Sequence, residues 1–257
     1  MLNVERDGGW VTLRLNRPEV GNALNGEVMA LFRANLDELR ADASVRGLIL
    51  TGAGKLFSAG ADLAWMAKMK EASAEENLRD AEASGELFAA IRDFPRPVIA
   101  AVNGPARGGG VGLVAACDFA VASAKASFAF TEVRIGVIPA LISPFVIARI
   151  GESRARKLFL TGETFTAEQA AAWGLVDRAV PPEELPAAVG ELATTLQQCA
   201  PGAMGKVKEL LRRVRETPPA EVIKVTAQMI AEIRTSPEAL EGMAAFLEKR
   251  PPRWAAE

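Results

Sequence analysis

The chain has no histidine and no tyrosine, and its only cysteines are Cys117 and Cys199. Each absence removes a chemistry. Without histidine there is no Ser-His or Cys-His nucleophile pair within the chain and no imidazole metal ligand. Without tyrosine there is no Tyr-Lys pair for hydride transfer. Proton movement falls to Asp and Glu, with Lys and Cys as outsiders. The two cysteines lie far apart in the sequence and read as reduced, buried thiols rather than a disulfide framework. An excess of one charge is missing too. The 30 Lys and Arg nearly balance 32 Asp and Glu, for a net charge of −2, which gives no general field for nucleic acid or an acidic membrane. No apolar run reaches membrane-spanning length. The start, Met1-Leu2-Asn3-Val4-Glu5-Arg6, runs straight into a strand and is neither a signal peptide nor a transit segment. A cytoplasmic protein is the simplest expectation.

The 257 residues are 49% hydrophobic and 24% charged, enough for a large core. Trp10-Val11-Thr12-Leu13-Arg14-Leu15 alternates as a strand does, and residues 26–41 carry Val28, Leu31, Phe32, Leu36 and Leu39 at helical spacing. Strands and helices then alternate through Val121, the pattern of parallel strands joined by helical crossovers. A charged, Ala-rich helix is expected from Glu71 to Ile91, ended by Asp93-Phe94-Pro95-Arg96-Pro97. After Val180 the pattern is helical only. Pro181-Pro182, Ala200-Pro201-Gly202, Pro218-Pro219 and Ser236-Pro237 punctuate four helices. The chain thus divides into an α/β core, residues 1–180, and a helical region, residues 181–257, too thin for a large core of its own.

Two glycine-rich junctions stand out. Phe57-Ser58-Ala59-Gly60-Ala61-Asp62-Leu63 follows the strand Leu48-Ile49-Leu50-Thr51, and Arg107-Gly108-Gly109-Gly110-Val111-Gly112 follows the strand from Pro97 to Val102. Each leads into a helix. Gly and Ala at such junctions leave backbone N–H groups unobstructed, and a converging pair can hold a developing oxyanion. The second junction has the wrong final spacing for a dinucleotide loop. Gly52-Ala53-Gly54-Lys55 lacks the spacing and the Ser/Thr of a phosphate loop. Tight turns remain the competing reading for both. Glu132 lies among Phe128, Phe130, Val133, Ile135, Val137 and Ile138. A carboxylate there is either a solvated edge residue or a proton carrier with a raised pKa. Asp62 suits a helix cap. Trp65, Met66 and Met69 suit either an acyl pocket or core packing.

These residues resemble the enoyl-CoA hydratase/isomerase (crotonase) superfamily. The junction Phe57 to Leu63 is similar to its first oxyanion segment, and Val102 to Gly110 to its second. Asn16-Arg17-Pro18-Glu19-Val20-Gly21-Asn22-Ala23-Leu24 resembles its N-terminal CoA segment. Thr131-Glu132-Val133-Arg134-Ile135-Gly136-Val137-Ile138-Pro139 resembles its catalytic-acid segment, and Glu241 to Arg250 its C-terminal signature. Five landmarks in family order span nearly the whole chain.

The resemblance implies a crotonase-like ββα superhelix whose C-terminal helices join trimers, often paired into hexamers. It implies an acyl-CoA substrate, with CoA as part of that substrate and no metal or redox cofactor. By position, the N–H groups of Ala61 and Gly109 are the oxyanion donors and Glu132 the acid-base. Lys55, Ala23 and Ala59 are implied CoA contacts, with Phe246 and Lys249 supplied by a neighbouring subunit. On the sequence alone, helix packing for Phe246 and solvation for Lys249 stand equally. The chain departs from the family at Gly112, where two-glutamate hydratases place their second acid. A glutamate restored there is expected to sit close to Glu132 and to re-create a two-acid water site. The runs Phe57 to Met66 and Thr131 to Phe145 look closest to 3-methylglutaconyl-CoA hydratases of leucine degradation, whose substrate needs a cation for its distal carboxylate. Arg134, Lys68 and Arg107 are the candidates. Two other readings stay open: a Δ3,Δ2-enoyl-CoA isomerase, which needs one proton shuttle, and RNA binding, which the charge balance disfavours.

Overall fold

The computed structural model describes residues 1–255. Leu2–Asp7 (β1) and Trp10–Leu15 (β2) form an antiparallel hairpin in register Asp7 to Trp10. The helical stripe then produces Gly26–Ala41 (α1), and Gly47–Gly52 (β3) returns parallel to β2. The first junction leads into a short helix, Leu63–Met69 (α2), and after a break the helix expected from Glu71 to Ile91 runs over Ala74–Arg92 (α3). The break is chemical: Ser73 and Glu76 form a reciprocal capping box that starts α3 afresh. Val98–Val102 (β4), Ala106–Arg107 (β5), Gly109–Ala116 (α4), Phe119–Ser123 (β6) and Ser127–Ala129 (β7) follow. Ser143–Thr161 (α5), Phe165–Thr166 (β8), Ala167–Ala172 (α6) and Arg178–Val180 (β9) complete the α/β part. Four helices end the chain: Leu185–Gln197 (α7), Pro201–Glu216 (α8), Val222–Arg234 (α9) and Pro237–Glu248 (α10).

The main sheet has the order β1-β2-β3-β4-β6-β9, parallel from β2 onward. Side chains alternate across it. Val98, Ala100 and Val102 enter the large cluster with α1, α3 and α4, whereas Ile99 and Ala101 enter a second cluster on the other face. A parallel sheet needs both faces covered. Helix α7 supplies that second cover through Leu185, Ala188, Val189 and Leu196. Helix α7, which opens the helical region beyond residue 180, thus packs directly on the sheet. The segment that stands off begins at α8, where no residue is buried; none is buried in α9 either. Helix α10 carries an apolar stripe, Leu240, Met243, Ala244 and Leu247. Ala245 is the buried residue, and Leu240, Met243 and Leu247 are exposed. Lys208 of α8 ties this region to the core through Asp118, at 2.6 Å.

Strands β5, β7 and β8 form a second, small sheet in the order β5-β7-β8. It matters for the site because β5 ends at Arg107 and β7 at Ala129, so pairing the two strands brings the second glycine junction beside the segment that carries Glu132. Cys117 is buried and burial pushes its thiol up to about 12, whereas Cys199 is exposed, contrary to expectation. Among the described residues no helix is long and apolar enough to cross a membrane.

Candidate active site

The first junction is held from one side. Leu24 N–H donates to Gly60 O at 2.7 Å and Asp62 N–H to Leu24 O at 2.9 Å, a one-residue parallel bridge. This leaves the Ala61 N–H turned away from Leu24, with no acceptor among the described residues. Gly60 has φ +87°, and a Cβ on it would lie 2.6 Å from Arg107 O and 3.4 Å from Gly109 N. The two junctions thus touch backbone to backbone, an approach that only glycine permits.

The second junction needs an equally unusual backbone. Gly108, at φ +46° and ψ −117°, precedes α4 without any side-chain cap. Its N–H reaches Ala129 O at 3.0 Å, and its carbonyl accepts from Val111 and Gly112. As the first residue of α4, Gly109 has a free N–H by helix geometry. Two unpaired donors, from Ala61 and Gly109, therefore meet on one wall.

Glu132 opens a 3-10 turn, Glu132–Ile135, just after β7. A Cβ on Gly108 would sit 2.9 Å from Glu132 Oε1, so the glycine also makes room for the acid. Glu132 Oε2 is buried with no hydrogen-bond partner among the described residues. Burial pushes its pKa up, against the lowering effect of a hydrogen bond from its own backbone. The carboxyl is thus not that of a solvated edge residue.

The donors and the acid open into one cavity of about 630 Å³. Trp65, Met66 and Met69 line it, as do Asp80, Ser84 and Phe88 of α3 and Ile135, Ile138 and Ile142 from the segment after Glu132. Ala59 lies on the wall as well. A larger hollow of about 1160 Å³, between Arg46, Pro95 and the C-terminal helices, shares no residue with this cavity. It contains neither glycine junction, so we place the chemistry in the smaller one. Asp62 caps α2, accepting from Ala64 and Trp65 N–H at 2.9 and 3.2 Å.

Other expected residues lie elsewhere. Gly112 is buried within α4, and a Cβ there would be 2.2 Å from Ile142 Cγ2 and 3.1 Å from Phe88 Cε1. The expectation of an open seat for a second acid is therefore wrong: two hydrophobic side chains fill it. Ala23 is buried, its carbonyl accepts from Arg17, and it does not line the cavity. Lys55 lies in the exposed turn after β3, off the cavity wall. Phe246 and Lys249 are exposed at the end of α10 and do not reach the cavity of their own chain. None of the three proposed cations lines it. Arg107 is spent on Ser127 and Ala106 carbonyls and Ser127 Oγ, Lys68 lies over the Trp65 ring, and Arg134 packs at Gly162. Lys70 is the cation on the wall among the described residues. Sequence reading missed Lys70 and the α3 residues. Their one signal was the helical spacing of Asp80, Ser84 and Phe88, which the surrounding charges disguised as a solvated face.

The sequence matches the family model described as enoyl-CoA hydratase/isomerase over residues 5–257. It is 40% identical over 254 residues to a putative enoyl-CoA hydratase of Thermus thermophilus, covering 99% of this chain and 100% of that protein. It is 33% identical over 252 residues to the 2,3-dehydroadipyl-CoA hydratase of Escherichia coli, covering 98% and 97%. Among solved structures it superposes on Pseudomonas aeruginosa AtuE with a TM-score of 0.95, at 36% identity and 99% coverage of both chains.

Proposed function

This chain belongs to the enoyl-CoA hydratase/isomerase family, and we propose that it adds water across the double bond of an enoyl-CoA using Glu132 as its one carboxylate. The observation that carries the proposal is the buried, unpartnered Glu132 Oε2 in the same cavity as the free N–H groups of Ala61 and Gly109. The two N–H groups hold the thioester oxygen and draw electrons from C3. Glu132 takes a proton from water as the oxygen adds to C3. The resulting enolate stays on the two donors, each worth about 3 kcal/mol. Glu132 then returns the same proton to C2, so one carboxyl serves both half-steps.

Run in heavy-oxygen water, crotonyl-CoA should gain the mass of one labelled water. A shifted double bond without mass gain would be isomerisation. That reading uses the same single shuttle, but the two relatives compared above are hydratases by name. Gly109→Pro tests the donor directly. Proline suits the first helical position and replaces the N–H with a ring carbon that cannot donate. We expect a 10²–10³-fold loss of kcat, roughly, with the circular dichroism unchanged; wild-type turnover would show that this N–H is unused.

The finer reading is that the acyl group carries a distal carboxylate, as in 3-methylglutaconyl-CoA. Its support is the two sequence runs noted above, a relative named for a dicarboxylic acyl group, and Lys70 on the cavity wall. Lys70→Met should raise KM for 3-methylglutaconyl-CoA by about tenfold, the scale of one charge-assisted contact, and leave crotonyl-CoA unchanged. Equal effects on both substrates would remove Lys70 from acyl recognition. We also read the exposed Leu211, Ile223, Leu240, Met243, Phe246 and Leu247 of α8–α10 as a self-association surface. Light scattering should then give the mass of three or six chains.

A further inference from the structure

We propose that the buried pair Arg17–Asp62 positions the oxyanion donor Ala61 and keeps its neighbourhood electrically neutral; the proposal rests on the hydratase reading above. Asp62 directly follows Ala61. Its Oδ2 lies 2.9 Å from Arg17 Nη1, with the side chains 10% and 17% exposed. Asp62 Oδ1 takes the two N–H groups that begin α2, and its own N–H reaches Leu24 O at 2.9 Å. Arg17 Nη1 also donates to Ala23 O at 2.8 Å. The Arg17 backbone N–H donates to Asn22 Oδ1 at 3.0 Å, and the Asn22 amide reaches Ala53 O and Leu56 O, both at 2.8 Å. One network therefore fixes both neighbours of Ala61 and the wall helix α2.

Capping alone does not explain the charge. At the N-cap position itself the other capping side chains among the described residues are neutral, Asn25, Ser73, Thr166 and Ser236; the other carboxylate at a helix start, Glu238 on the first N–H groups of α8, reaches in from a different helix. Asn or Ser would cap α2 equally well. A buried ion pair has a desolvation cost and is weak evidence for stability. What the pair supplies is rigidity across two segments, at the residue beside a donor that must not drift. Asp62 without Arg17 would set a bare carboxylate one residue from the oxygen that turns negative in the reaction.

That arrangement makes an unusual order of effects testable. Asp62→Asn keeps the cap and loses the pair; kcat on crotonyl-CoA should fall about tenfold. Arg17→Met strands the carboxylate, and the fall should reach about 10²-fold, the loss an ångström of misplacement can cause. The double variant should be faster than Arg17→Met alone, because the stranded charge is gone. KM should stay within about threefold throughout, since the loss belongs to the transition state. Binding of the enolisable thioester acetoacetyl-CoA gives a second readout that needs no turnover. Its enolate absorbance should weaken in the order wild type, Asp62→Asn, Arg17→Met. A double variant no better than Arg17→Met, or kcat and enolate signal unchanged in Asp62→Asn, would overturn the proposal. If Arg17→Met does not fold, Asp62→Asn alone decides by those two readouts. Failure of the hydratase reading is separate: wild type would leave crotonyl-CoA unhydrated whatever the pair does.

Discussion

Replacing Glu132 with Gln should cost most of the turnover and raise the stability of the fold. The rate loss should be 10²–10⁴-fold, roughly, the range for a general acid-base, because among the described residues the other carboxylate lining the cavity, Asp80, accepts from Trp65 Nε1, and Asp62 is held by Arg17 and the start of α2. The stability gain follows from the raised pKa. Folding favours the protonated acid, so the wild-type group contributes its stability below its unfolded pKa, near 4.5, and loses it as pH rises through the higher folded value. Gln mimics the protonated form at every pH. The melting temperature of Glu132→Gln should therefore exceed that of wild type at pH 8 and converge with it near pH 4. The acid limb of the wild-type kcat/KM profile should have its midpoint above 4.5. A variant with near wild-type rate would sink the mechanism. A variant less stable at pH 8 would mean that the carboxylate is satisfied in the fold.

Gly112→Glu should abolish activity on every acyl-CoA by damaging the fold. The Cβ of any residue at 112 meets Ile142 Cγ2 at 2.2 Å and Cβ at 2.9 Å. Overpacking of this kind costs about 1–3 kcal/mol, and an unpaired carboxylate forced into the apolar surroundings of α4 adds several more. We expect little soluble protein, or a much lower urea midpoint, with equal losses on crotonyl-CoA and a carboxylated substrate. Gly112→Ala isolates the steric part, and its loss should shrink when Ile142→Ala opens the space. A stable Gly112→Glu enzyme with more activity on crotonyl-CoA would show that the second-acid seat is open after all.

The sequence by itself determined the main alternation of strands and helices and the two glycine junctions, and it marked Glu132 as a carboxylate in apolar company. Those features are local. Alternation, helical spacing, proline punctuation and a lone glutamate in an apolar run are written within a few residues of one another. Even Asp62 as a cap follows from its neighbours alone. Packing between distant segments decided the rest. Whether α7 belonged to the core depended on the uncovered second face of the sheet, which needs Ile99, Val121 and Leu185 in one place. The role of Gly112 depended on Ile142, thirty residues on in a segment that lines the cavity. Lys70 displaced Arg107, Arg134 and Lys68 as the cavity's cation because helix direction and competing hydrogen bonds, not charge, determine which side chains face a cavity. The pairing of Arg17 with Asp62 was likewise invisible, since a surface arginine and a cap look ordinary until the bridge from Leu24 to Ala61 draws them together. Chain-local patterns fix what each segment is; which groups lose water together is fixed only when the segments pack, and that desolvation is what raises the pKa of Glu132.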